Sequence, residues 1–153
     1  MIVCFTGHRK MLPHNVCEAV ELLEKRIEGL TTLGDVEFRA GGAIGFDTIA
    51  ALCVLTARES HKNIKLHLIL PCKDQTRGWS DADVEKYNYI LSQADKVSYS
   101  CEEYTPYCMH KRDRELVDGA DLCIAYCGSD RGGTAYTVDY AKKCGVKVEN
   151  IYV

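Results

Sequence analysis

The chain has 153 residues, 46% of them hydrophobic and 27% charged, with a net charge of −3. That length suits one domain over 1–153, with a core that needs no disulfide or metal staples. The acidic balance argues against nucleic acid or a membrane surface as partner, so any anion site must be local.

The opening Met1-Ile2-Val3-Cys4-Phe5 lacks a basic leader, and no stretch approaches the roughly eighteen apolar residues of a membrane span. The expectation is a cytoplasmic chain. The nine cysteines (4, 17, 53, 72, 101, 108, 123, 127 and 144) include no Cys-x-x-Cys pair, and an odd number fits a disulfide framework poorly. Cys123 and Cys127 share one face of a predicted strand but stand about 13 Å apart at the usual rise, too far for one metal ion. Reduced, mostly buried thiols are expected, with no metal and no cofactor.

Ile2 to Thr6 reads as a buried first strand ending at Gly7-His8-Arg9. Val16, Val20, Leu23, Ile27 and Leu30 form one face of an amphipathic helix, with Asn15 as its cap and Gly34 beyond its end. Val36 to Ala40 is a second strand, and Gly41-Gly42-Ala43-Ile44-Gly45-Phe46-Asp47 opens a helix with Phe46, Ile49, Ala50, Cys53 and Ala57 inward. Lys65 to Leu70 is a third strand, closed by Pro71. After a polar loop over Cys72 to Trp79, Ser80 and Asp83 form a capping-box pattern before a helix burying Val84, Tyr87, Ile90 and Leu91.

Lys96 to Tyr99 is the fourth strand, followed by a loop with Tyr104 and Tyr107 and a helix from Cys108 to Gly119. The stretch Ala120 to Thr134 is an apolar strand broken at Gly128-Ser129-Asp130, then Arg131-Gly132-Gly133-Thr134 at a helix entry. Glycines admit a ligand close to the backbone there, Thr134 can cap, and unpaired N–H groups suit a phosphate. The helix turns Val138 and Ala141 inward until Gly145, and Lys147 to Tyr152 is the last strand.

Six strands alternating with five helices imply an α/β, Rossmann-like, doubly wound parallel sheet with helices on both faces. The usual order, 3-2-1-4-5-6, puts a ligand crevice between strands one and four at their carboxyl ends. The loops after strands one, two, three and five open there.

Several of their residues read two ways. His8 and Arg9 either contact phosphate or ribose or are exposed loop residues. Asp47 either meets a ribose hydroxyl or complements its helix dipole. Arg112, within Lys111-Arg112-Asp113-Arg114-Glu115, is either a site residue or part of a solvated face. Trp79 either stacks on a base or serves the core or a lid. The Tyr99, Tyr104 and Tyr107 loop either closes over the crevice or meets a second copy of the chain.

The set Thr6-Gly7-His8-Arg9, Gly41-Gly42-Ala43-x-Gly45-x-Asp47, Pro71 with Gln75 and Trp79, Arg112-x-x-x-Leu-Val-Asp-x-Ala-Asp, and Gly132-Gly133-Thr134 resembles the YpsA-like branch of the SLOG superfamily over essentially the whole chain. The resemblance implies a Rossmann-like fold and a ligand site built from those residues. The superfamily also holds the Lonely Guy phosphoribohydrolases and the DprA proteins that bind single-stranded DNA. Against the Lonely Guy pattern, Arg112 matches the catalytic Arg and Gly132-Gly133-Thr134 the end of the phosphate loop. The catalytic Glu position, three after the Thr, is Thr137, which cannot stabilise an oxocarbenium-like centre or activate water. Asp139 lies about 200° round the helix from Thr137.

Three functions follow as expectations. The leading one is a module that binds a nucleotide or nucleotide-derived small molecule as a sensor or sponge. The second is a nucleotide N-glycosidic hydrolase using Arg112 with Asp47, Asp113 or Asp130 in place of the missing Glu. The third is DprA-like single-stranded-DNA binding, which the net charge disfavours and which requires a basic, aromatic-lined groove.

Overall fold

Apolar runs buried on both faces and separated by amphipathic segments leave the chain one economical arrangement, a parallel sheet between helices. The computed structural model describes residues 1–153. Its elements are β1 (Ile2–Gly7), α1 (Pro13–Thr31), β2 (Val36–Ala40), α2 (Phe46–Ser60), β3 (Ile64–Leu70), α3 (Asp81–Gln93), β4 (Lys96–Tyr99), α4 (Cys108–Val117), β5 (Leu122–Tyr126), α5 (Gly133–Lys143) and β6 (Lys147–Asn150). All six strands run parallel in one sheet, as a Rossmann-like fold requires.

The strand order is β4-β3-β2-β1-β5-β6, which corrects the expected 3-2-1-4-5-6. The crossovers through α1, α2 and α3 each step one strand outward, so β4 pairs with β3, Leu68 opposite Val97. The connection through α4 then returns the chain to the other side of β1, where Phe5 lies opposite Ile124 of β5. The switch point therefore falls between β1 and β5 rather than between β1 and β4, and ligands of such sheets bind at that point.

Two local expectations also shift. Helix α1 starts at Pro13 with Leu12 as an N-cap that makes no side-chain bond, so Asn15 lies inside the first turn. Proline at the first helical position presets φ and lacks only an N–H that would be orphaned anyway. Strand β6 stops at Asn150, whose Oδ1 accepts from the N–H groups of Cys127 and Tyr152 at 3.1 Å each and turns the chain before Tyr152. The Ser80 cap is as expected, its Oγ accepting from Asp83 N at 3.2 Å.

The larger core layer joins α1, α2 and α3 to the sheet through Phe5, Leu23, Ile27, Phe38, Phe46, Val54 and their neighbours. Phe5 stacks on Phe38 at 5.7 Å and meets Phe46 edge-on at 6.4 Å. Burying each such ring contributes about 1.5–3 kcal/mol. A Cβ on Gly7 would penetrate the Phe46 ring, so the end of β1 reaches the start of α2 only with glycine there. The smaller layer on the other face holds Cys4, Ile69, Leu116, Val117, Cys123 and Ala141 beneath α4 and α5. The nine cysteines are all free thiols.

Candidate functional site

At the carboxyl ends of β1, β2 and β5 lies a cavity of about 440 Å³ lined by Thr6, Gly7, His8, Arg9, Ala43, Asp47, Met109, His110, Arg112, Asp113, Leu116, Gly133 and Thr134. A second cavity of about 380 Å³ adjoins it and shares Arg9 and Met109. Its other walls are Pro71, Cys72, Asp74, Gln75, Arg77, Trp79 and Tyr104.

The floor of the first cavity is a buried charge cluster. Asp47, on the first turn of α2, and Arg112 and Asp113, on α4, are exposed by only 5%, 4% and 7%. Arg112 donates through Nε to Asp113 Oδ1 at 2.9 Å and through Nη1 to the carbonyl of Gly41. A Cβ on Gly41 would come within 2.5 Å of Arg112 Nη1 and 2.9 Å of Asp47 Oδ2, so the glycine lets the β2 backbone approach both. Asp47 Oδ2 accepts from Ala43 N at 3.3 Å. Burial pushes the Asp47 carboxyl up to about 6, against the opposing pull of Arg112 and the Ala43 N–H, with Asp113 adding to the rise. Arg112 is therefore a tethered cation beneath the cavity, not a member of a solvated face.

Above that floor the walls are backbone. Gly45 precedes α2 at φ +78°, and a Cβ there would strike the carbonyl of Arg9, so the β1 and β2 loops interlock at a position only glycine fills. Gly132 is the N-cap of α5, with no side-chain cap and no acidic residue in the first turn. The N–H groups of that turn are thus left to water or a ligand, at the positive end of the helix dipole. Thr134 lines the cavity rather than capping.

His8 does two things at once. Its Nε2 accepts from Gly128 N at 2.8 Å and its carbonyl accepts from Phe46 N at 3.1 Å, so it ties the β5 loop and the start of α2 to β1 while the residue lines the cavity. Edge-on contacts with Tyr126 at 6.2 Å and Tyr152 at 6.1 Å hold that ring.

Arg9 is exposed and makes no side-chain hydrogen bond or ion pair. Of the eight arginines in the chain, Arg26, Arg39, Arg58 and Arg112 are ion-paired and Arg114 donates to Tyr136 Oη. The three left without partners are Arg9, Arg77 and Arg131. Two of them line the cavities, and the third stands beside Gly132 in the β5 loop. Unmatched guanidinium groups are thus gathered at one end of the sheet.

The candidates separate accordingly. Thr6, Gly7, His8, Arg9, Ala43, Asp47, Arg112, Asp113, Gly133 and Thr134 meet in the first cavity, and Pro71, Gln75 and Trp79 in the second. Gly41, Gly42, Gly45 and Gly132 shape the loops without lining either cavity. Asp130 is exposed and lines neither. Thr137 is 1% exposed and donates to Gly133 O at 2.9 Å, bracing the loop from behind.

Sequence reasoning missed Met109, His110 and Leu116. The signal was present, because Met109, Asp113 and Leu116 recur at i, i+4, i+7 on the α4 face that presents Asp113. Arg77 was likewise hidden in a loop with no periodicity to orient it. His110 stacks on Tyr136 at 4.1 Å and 10°, bridging α4 and α5 at the rim.

The fold matches solved structures across nearly the whole chain. DNA processing protein A from Helicobacter pylori, described by its unique single-stranded DNA binding mode, superposes with a TM-score of 0.71 at 18% identity, over 97% of this chain and 63% of that one. The same protein from Streptococcus pneumoniae gives 0.69 at 19%, over 95% and 48%. The expectation that net acidity disfavours nucleic acid is thereby overturned. This chain shares its fold with a protein described as binding single-stranded DNA, and net charge does not describe an edge carrying Arg9, Arg77 and Arg131. No helix is long and apolar enough to cross a membrane.

Among sequence relatives, the SPbeta prophage-derived protein YoqJ of Bacillus subtilis is 29% identical over 128 residues, 76% of this chain and 75% of its own length. A UPF0398 protein of Bacillus thuringiensis is 30% identical over 114 residues, 72% of this chain and 61% of its length. The profile of the YspA SLOG family matches residues 14–151, and the chain belongs to that family.

Proposed function

We propose that the chain binds a nucleotide or nucleotide-derived small molecule through its phosphate in the first cavity, as a sensing or sequestering module. The observation that carries this reading is the convergence of an unpartnered Arg9 and the uncapped start of α5 on one cavity at the β1/β5 switch point. Arg112 below is already paired with Asp113, and the Asp47 carboxyl near it offers a proton or an acceptor to a sugar hydroxyl. Binding without turnover is supported by Thr137, which fills the place of the Lonely Guy carboxylate with a hydroxyl already bonded to Gly133 O.

Equilibrium binding of 5′-mononucleotides, with mass spectrometry of the bound and free fractions, tests this. Recovery of the intact nucleotide from the protein is the expected result. Free base and ribose phosphate in solution would make the chain a hydrolase working through Asp47 or Asp113, and no binding at millimolar AMP would end the nucleotide reading.

A second reading, single-stranded DNA, is favoured by the second cavity, where Arg9 and Arg77 stand beside Trp79 and Tyr104. Cations with aromatic faces are the elements that hold a strand and stack its bases. It predicts affinity that rises with oligonucleotide length and falls steeply with salt.

A further inference from the structure

The two cavities adjoin but offer different surfaces, and we infer that one 5′-mononucleotide fills both, its phosphate in the first and its base in the second, where Gln75 selects a base that carries an amino group. This rests on the nucleotide reading above and adds to it the seat and the chemical class of the base.

The rings left free decide where the base goes. Of the rings lining the first cavity, His110 is stacked on Tyr136 at 4.1 Å, and His8 is bonded to Gly128 N and held edge-on by Tyr126 and Tyr152. What remains there is glycine backbone, a helix start and buried charge, which suit phosphate and sugar. The second cavity has Trp79, Tyr104, Pro71 and Met109, which suit a flat ring. Tyr87 holds Trp79 edge-on at 5.6 Å and 87°, so the indole is oriented before any ligand arrives. Arg9 and Met109 line both cavities, and a sugar joining phosphate to base passes them there.

The edge of the base meets an acceptor that the fold leaves unused. Gln75 lines the second cavity and donates through Nε2 to the Gly41 carbonyl at 3.4 Å, while its buried Oε1 has no donor. Turning the amide over would set Oε1 against that carbonyl, which also accepts from Arg112 Nη1. The amide therefore keeps its acceptor for something else. A buried oxygen without a donor costs stability, and the exocyclic N–H of a base such as adenine supplies what is missing. Asp74 adds a second acceptor to the wall, whereas its guanidinium donors, Arg9 and Arg77, are exposed and open to water. A keto group in place of the amino group would bring oxygen to oxygen.

Trp79 is the chain's single tryptophan, so its fluorescence reports the second cavity. The experiment titrates the intact protein with ribose 5-phosphate, AMP and IMP, reading affinity by calorimetry and Trp79 emission in parallel. AMP is expected to bind about tenfold or more tightly than ribose 5-phosphate, the gain one stacked base gives, and to change Trp79 emission where the sugar phosphate does not. IMP, whose ring stacks alike but presents a keto oxygen in place of the amino group, should bind about tenfold more weakly than AMP. In Gln75→Met, which keeps the length of the side chain and removes the acceptor, AMP and IMP should bind alike.

Equal affinity for AMP and ribose 5-phosphate, or an AMP complex with unchanged Trp79 emission, overturns the placement of the base and leaves the phosphate reading standing. Equal affinity for AMP and IMP in the parent, or an AMP preference that survives in Gln75→Met, overturns the assignment of Gln75. Failure of all three to bind ends the nucleotide reading and this inference with it.

Discussion

Two clusters of charged side chains lie against this sheet, and they are wired in opposite ways. On the α4 side of β2 and β3, Arg39 donates to Glu37 and to the carbonyls of Glu115, Leu116 and Asp118 at the end of α4, while His67 sits between Glu37 and Ser98. That guanidinium is spent on the protein itself: it satisfies carbonyls that a helix terminus leaves open. At the carboxyl edge, two carboxylates, Asp47 and Asp113, share one buried guanidinium, and a further cation, Arg9, lines the same cavity without a protein partner. A charge with all its partners inside the fold holds structure. A cluster short of a partner at a concave edge is arranged for something the chain does not contain.

The comparison is most severely tested by removing each guanidinium. Arg112→Ala leaves Asp47 and Asp113 buried together without a cation and should destabilise the fold by about 3–5 kcal/mol. Arg39→Ala, at a residue beside partly exposed Glu37, should cost about 2 kcal/mol, the range of a few charge-assisted bonds to backbone. Urea unfolding of both variants checks this, and equal losses would erase the distinction between the two clusters.

Next in size is the pH dependence. Asp47 has a folded value near 6 against 3.8 unfolded. A raised folded value means the neutral form is favoured in the native state, so its stabilisation is complete below about pH 4 and is lost as pH rises through 6. The loss amounts to about 3 kcal/mol by pH 7.5. Asp47→Asn, which mimics the neutral form, should lack that decline when unfolding free energies at pH 4 and 7.5 are compared. His67 works the other way. Burial lowers its value, more than Glu37 raises it, so its contribution is present above the ordinary histidine range and disappears as pH falls. His67→Gln should therefore flatten the acid limb of the stability profile and leave the neutral limb alone.

The fold was legible because its strands and helices obey separate periods, and glycine or proline corners mark where one gives way to the other. The strand order was not, since nothing in Lys96 to Tyr99 says whether that strand pairs outside β3 or beside β1. The answer lies in which way the crossovers step. Likewise the motif residues could be named, but not their bonds. That Arg112 is tethered to Gly41 and Asp113, or that His8 gives its Nε2 to the Gly128 N–H, depends on loops brought together across 71 and 120 residues. Asp130 illustrates the same limit: it belongs to the β5 loop by sequence, but it is exposed and lines neither cavity.

The smallest stability effect belongs to the residue with the largest expected effect on binding. Arg9 is exposed and unpaired, so Arg9→Ala should change unfolding free energy by no more than about 0.5 kcal/mol. Removing a charge-assisted contact to phosphate should nevertheless weaken AMP binding by about tenfold or more. Loss of the Arg9 charge also removes one of the influences that hold the Asp47 carboxyl down, so Asp47 should titrate slightly higher in the variant, a shift its carboxyl carbon resonance can follow by NMR. An Arg9→Ala protein that binds AMP like the parent would mean that the phosphate is held by Arg112 and the α5 start alone. The contrast between paired and unpaired guanidinium groups would then say where charge is tolerated, not where a ligand sits.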